Sequence, residues 1–227
     1  MNWQYDGSFA GWLATCFRVY EAHDHHAVIC PAPSADGMFA GELSAPEMPL
    51  ASHDQDSVVL SANRELAGRV YRGLARTGGN EAAWLLRDAF LNREPDAGNH
   101  LLGYVRIVMR SGQAALQMLA DPAIHEVDRR ARAVRREAHR FQGFLRFHQI
   151  DQDGPLLYAA FRPDHDILPL LLPHFRDRMG ERDWMIHDIG RKQAAVFRQG
   201  QLDMLDKIST EGELPESADE YTFQQLW

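Results

Sequence analysis

The chain has 227 residues, 45% of them hydrophobic and 25% charged, which suffices to bury one sizeable core. Its formal net charge of −8 argues against indiscriminate binding of polyanions by the whole surface. No apolar run reaches the roughly 18–20 residues of a membrane span. The start Met1-Asn2-Trp3-Gln4-Tyr5-Asp6 has neither the basic nor the apolar region of a signal peptide, and Cys16 and Cys30 make no disulfide framework, so a cytoplasmic location without membrane association is expected.

Trp3 to Tyr5 reads as a short strand, turned at Asp6-Gly7, with Ser8 as N-cap of a helix to about Ala22. Its apolar positions Phe9, Trp12, Leu13, Cys16, Phe17 and Tyr20 recur at three- and four-residue steps. Residues 30–56 hold four prolines and little periodicity and read as a loop-rich insertion with room for one small strand. Val58-Val59-Leu60 suggests a strand. Helices are expected over Ala62 to Ala75 and Glu81 to Arg93, parted by Thr77-Gly78-Gly79, and over His100 to Leu119 with a bend or break at Ser111-Gly112.

The clearest helix starts at Asp121-Pro122, a capping acceptor before a first-turn proline. Ile124, Val127, Ala131, Val134, Ala138 and Phe141 form its buried stripe, with an arginine-rich face opposite. After Gly143 the period shortens. Phe144 to His148 and Leu156 to Phe161 read as one hairpin, and Trp184 to His187 and Ala194 to Phe197 as another. A helix from Asp166 to Met179 lies between them, despite Pro169 and Pro173. The expected class is therefore α+β, helix-rich, with small antiparallel hairpins packed on helices. Residues 1–200 are read as one domain containing a helix-hairpin-helix-hairpin unit over 121–200, and 201–227 as an acidic C-terminal segment.

The charge is unevenly spread. Residues 129–146 hold seven arginines against Glu137, a balance of +6, whereas 201–227 hold seven acids against Lys207, a balance of −6. Arg129, Arg132, Arg136 and Arg140 recur at near-turn spacing, which suits contact with successive phosphates, and Arg146 and His139 adjoin them. A solvated face of Glu–Arg pairs explains the same pattern. Phe144 and Phe147 flank Arg146 as stacking residues would, although a core role for both is expected.

No Cys-x-x-Cys pair, glycine-rich phosphate loop, His-Glu-x-x-His or nucleophile elbow is present, and no cofactor is implied. Pro163-Asp164-His165-Asp166 joins a strand to a helix and could set His165 between two carboxylates, or Asp166 could simply cap the helix. His187-Asp188, followed by Arg191, offers imidazole beside carboxylate at the tip of the last hairpin, although turn chemistry also accounts for Asp188 and Gly190. His23, His25 and His26 are read as surface histidines rather than metal ligands, since no third matched element accompanies them. His139, His165 and His187 each lie at the end of an element and are expected to approach one another.

Taken in order, Tyr5-Asp6-Gly7-Ser8-Phe9, Arg136-Glu137-Ala138-His139-Arg140-Phe141, Gly143-Phe144, Arg146-Phe147, Pro163-Asp164-His165-Asp166-Ile167-Leu168-Pro169, His174-Phe175 and Ile186-His187-Asp188 with Arg191 resemble a bacterial family. It is a domain of unknown function assigned to DNA metabolism or repair, and the resemblance runs from Tyr5 to about Phe197. Members look like companions of radical-SAM proteins similar to spore photoproduct lyase, and some are fused ahead of a uracil-DNA glycosylase-like domain. The resemblance thus implies DNA or a nucleotide as ligand and a partner of one of those kinds. Members continue beyond a Leu-Trp like Leu226-Trp227 into a basic, aromatic-rich segment.

Three functions compete. The first is a DNA-associated accessory factor using the arginine helix. The second is an enzyme doing acid–base chemistry on a base or nucleotide with Asp164, His165, His187 and Asp188. The third is an adaptor whose arginines dock an acidic protein.

Overall fold

The computed structural model describes residues 2–32, 58–60, 62–94, 97–151 and 155–208; the remaining residues, including most of the loop-rich insertion, lie outside it. The architecture is α+β, as expected, and divides into two compact units, residues 1–136 and 137–227. The division falls inside the arginine-rich helix that starts at Pro122.

In the first unit, β1 (Asn2–Tyr5) lies between β2 (Val28–Pro31) and β3 (Val58–Leu60), parallel to both. Strands β1 and β3 are as expected, whereas β2 runs into the proline-rich stretch that reads as loop from residue 30. Helix α1 (Phe9–Glu21) starts at Ser8, whose hydroxyl accepts from Gly11 N at 2.9 Å. Asp6 organises this start. Its Oδ1 accepts from the Ser8 amide and hydroxyl at 3.0 and 2.6 Å, and its Oδ2 accepts from Ala62 N at 2.7 Å. A Cβ on residue 11 would stand 2.1 Å from Asp6 Oδ1, so the cap requires glycine there.

Helix α2 (Arg64–Phe90) is interrupted at Gly79, whose φ of 84° is open mainly to glycine, so the two expected helices meet at a kink. Helix α3 (Ala97–Ser111) ends before Gly112, and a six-residue 3-10 helix follows where a continuing helix was one of the expected outcomes. Trp12, Leu74, Leu86, Tyr104, Val108 and Val127 are among the buried side chains of this core. Helix α4 (Pro122–Phe144) is capped by Asp121, whose Oδ1 accepts from Ala123 N at 2.9 Å. Its apolar stripe is buried from Ile124 through Ala138.

The second unit is built on a sheet ordered β4-β5-β6-β7-β8, from β4 (His148–Asp151), β5 (Pro155–Phe161), β6 (Trp184–Asp188), β7 (Gln193–Arg198) and β8 (Gln201–Asp206). The two expected hairpins are joined into it by a parallel β5–β6 pairing. Helix α5 (Leu168–Met179) supplies the crossover such a pairing needs. β8 extends the sheet into the segment read as acidic tail, with all six residues exposed.

The strand expected from Phe144 begins later. Leu145 N still donates to Phe141 O at 3.0 Å, so the helical turn persists and β4 starts only at His148. Phe144 is 64% exposed, contrary to the expected core role, whereas Phe147 packs on Phe175 with ring centroids 5.2 Å apart.

Candidate functional site

The arginines of α4 fall into two groups. Arg129 donates to Glu126 and Glu94, Arg130 to Glu126 and Asn92, Arg132 to Asp128, and Arg135 to Asp88. Hydrogen bonds from Arg129 and then Arg130, outweighing partial burial, pull the Glu126 carboxyl down to about 2. Arg130 is itself 3% exposed. Of the arginines expected to meet successive phosphates, Arg129 and Arg132 hold carboxylates of this chain.

Arg136, His139, Arg140 and Arg146 are exposed. Among the described residues Arg136 and Arg140 have no ion-pair partner, and Arg146 donates only to the carbonyl of Gly143, at 3.3 Å. Unneutralised guanidinium groups are thus concentrated toward the end of the helix, where an external anion would displace no internal carboxylate.

The junction after β5 is held from both sides of its backbone. Glu137, 3% exposed, accepts from Asp164 N at 2.7 Å and His165 N at 2.8 Å. Arg191 donates to Pro163 O at 3.0 Å and to Asp164 O at 2.7 Å. Arg191 is in turn fixed by Asp188, whose Oδ2 accepts from its Nη1 at 2.9 Å and whose Oδ1 accepts from its amide at 3.1 Å. Asp188 is fully buried. Asp164, His165, Asp188 and Arg191 are therefore brought together, but by contacts that consume the Asp188 carboxylate and most of the Arg191 fork. Asp164 is exposed and His165 half-buried.

His187 is placed elsewhere. It and Asp188 are consecutive in β6, so their side chains leave opposite faces of the sheet and make no acid–base pair. Neither sits at a hairpin tip, since both pair with β5 and β7. His187 is 1% exposed; its Nδ1 lies 2.9 Å from the Tyr158 hydroxyl, while its Nε2 is buried with no hydrogen-bond partner among the described residues. Burial, against the pull of Asp188, holds its pKa below the ordinary value, and burial raises the Tyr158 phenol to about 12. With His148, whose ring centroid is 6.2 Å from that of Tyr158, these residues form a line of rings across β4, β5 and β6. His139 lies on the exposed side of α4. Among the described residues no group of three or more His, Cys, Asp or Glu could hold a metal ion.

Sequence reasoning missed Tyr158 and the part played by Glu137. The signal for Glu137 was present: it stands three residues after Val134 and four before Phe141, on the flank of the apolar stripe.

A family described as a domain of unknown function, DUF4130, matches residues 95–227, more than half of the chain. The chain belongs to the DUF4130 family. The matched region takes in α3, α4 and the whole five-stranded sheet, and with them the Glu137–Arg191 junction; the Tyr5–Phe9 motif lies outside it. No curated protein and no solved structure matches the chain. Among the described residues no helix is long and apolar enough to cross a membrane.

Proposed function

We propose that this DUF4130 protein is a DNA-metabolism or repair accessory protein that meets the phosphate backbone, or a nucleotide phosphate, with the last turns of α4. The observation that supports this most is the contrast along one helix: Arg129, Arg130, Arg132 and Arg135 are held by internal partners, whereas Arg136 and Arg140, with Arg146 just past the helix end, are exposed and hold no carboxylate among the described residues. Exposed arginines cost desolvation and side-chain entropy only once an anion arrives, and an Arg–phosphate pair can then form two parallel hydrogen bonds. A protein of net charge −8 would bind weakly except where such a patch is presented. The resemblance that motivates DNA also points to a radical-SAM or uracil-DNA glycosylase-like partner, beside which this chain would act.

The enzyme reading has less support, because its central imidazole, His187, is buried against Tyr158 and parted from Asp188. The adaptor reading differs in what it binds. Fluorescence anisotropy with labelled duplex and single-stranded DNA across a salt series separates it from the DNA reading. Direct phosphate contact gives a linear fall of log affinity with log salt, and Arg140→Ala and Arg146→Ala should each flatten that slope by roughly one. No binding at low salt, or variants indistinguishable from the parent, would reject DNA contact through α4.

A further inference from the structure

A second arginine cluster, on α2, lies outside the residues matched by the family and is not needed by the reading above. Arg69, Arg72, Gly73 and Arg76 line an open groove of about 440 Å³. Their spacing is i, i+3, i+4 and i+7, so one helix face carries all four. The three arginines are exposed, and among the described residues none of them has an ion pair with a carboxylate.

One contact sets this cluster apart from a merely solvated charged face. The Arg69 guanidinium lies over the ring of Phe17, 4.8 Å from its centroid. That stacking restricts the side chain before any ligand arrives while its edge N–H groups stay available. Arg72 lies back along the helix beside Gly68, its Nη1 2.9 Å from where a Cβ there would sit. The stacking on Phe17 reduces the freedom Arg69 loses on binding.

Gly73 is the more telling residue. Glycine is the poorest helix former short of proline, yet among the described residues nothing in the packing demands it here. A Cβ at this position would meet Met109 Cε at 3.9 Å, an ordinary contact, with no described atom closer. Alanine would therefore fit and favour the helix. What glycine does provide is a bare stretch of backbone between three cations, the floor of the groove.

We propose that this groove binds a ligand carrying several phosphate groups in a row. Arg69 to Arg76 spans a helical rise of about 10 Å, longer than one phosphate needs, and the arginine fork suits phosphate oxygens. The volume falls within the range of small-molecule sites. A nucleoside triphosphate and a nucleic-acid backbone share this chemistry.

Calorimetric titration of the full chain with inorganic tripolyphosphate, at constant ionic strength and without DNA, tests the groove independently of α4. Saturable one-to-one binding is expected. It should weaken at least tenfold in the double variant Arg72→Ala/Arg76→Ala. Gly73→Ala should weaken it too, while leaving the melting temperature unchanged or higher, a combination that a structural role would not give. Titrations with a nucleoside triphosphate and with a short single-stranded oligonucleotide then identify the source by which binds more tightly through the same arginines. Absence of saturable tripolyphosphate binding, or parent-like affinity in the double variant or in Gly73→Ala, would overturn the proposal.

Discussion

Tyr158 and His187 share a buried hydrogen bond of 2.9 Å between the phenol oxygen and imidazole Nδ1, joining neighbouring strands on one face of the sheet. Such a pair, with little access to solvent, acts first as a structural tie. Tyr158→Phe leaves the imidazole nitrogen without its partner and should cost about 1–3 kcal/mol. His187→Ala also removes buried volume and should cost about 2–4 kcal/mol. Denaturant unfolding of both variants measures this. A His187→Ala protein as stable as the parent would return His187 to the list of functional groups.

The same burial sets a pH dependence. The folded-state pKa of His187 lies below its ordinary 6.5, so the unfolded chain takes up the proton first as pH falls. The stability linked to this group is complete above pH 6.5 and is lost progressively as pH falls toward the folded-state pKa. The component should persist in Tyr158→Phe and vanish in His187→Leu. Chemical denaturation at successive pH values from neutral downward checks it, and identical slopes in His187→Leu and the parent would refute it.

Asp6 and Gly11 make the start of α1 a second point of fragility. Burial pushes the Asp6 carboxyl up, but hydrogen bonds from Ser8 and Ala62 outweigh it and leave the pKa lowered. Gly11→Ala would drive a methyl group into Asp6 Oδ1 and should destabilise by about 1–3 kcal/mol. Adding Asp6→Ala removes the clash, so the double variant should lose less than the sum of the single losses. Additive losses in thermal melts would mean the two residues do not share one cap.

Helices were the legible part of this fold, since Ser8, Asp121 and the stripe from Ile124 onward carry both a start signal and a period. The sheets were less so. β1, β2 and β3 are three- or four-residue strands brought together from separate parts of the chain, and no local pattern encodes that pairing. The parallel β5–β6 match depends on α5 crossing between them, which hairpin reasoning from sequence neighbours does not anticipate. For the site, residue types were visible and directions were not. Arg130 and Glu137, seven residues apart, both flank the apolar stripe and are both 3% exposed, while Arg136 and Arg140 point outward. Counting seven arginines against one acid treats them alike; helical position separates them.

Val134 tests that helical position directly. It is fully buried in the middle of the α4 stripe. Val134→Asp places a carboxylate there without a partner and should cost several kcal/mol, roughly 3–5. Val134→Ala should cost less, since it removes volume without adding charge. A Val134→Asp protein melting close to the parent would show that this face of α4 is not core.

Glu137 links the arginine helix to the loop that carries Asp164 and His165, and its chemistry makes a sharp test possible. Both carboxylate oxygens are used, one for each backbone N–H. A carboxylate presents acceptors only, so it can serve two donors at once. Glu137→Gln keeps the shape but gives one oxygen and one NH₂ group, which must face an N–H donor. One part-buried donor then loses its acceptor, at about 1–2 kcal/mol. The loss should be local: amide exchange at Asp164 and His165 should accelerate, while the helix amides around Val134 keep their protection. Arg191 still holds Pro163 O and Asp164 O from the other side, so the loop should loosen rather than detach. Arg191→Ala in the same background removes that second hold and should raise exchange further. Unchanged exchange at residues 164 and 165 in Glu137→Gln would show that the two hydrogen bonds do not govern the loop, and Glu137 would then have to be reconsidered as a group available to a ligand.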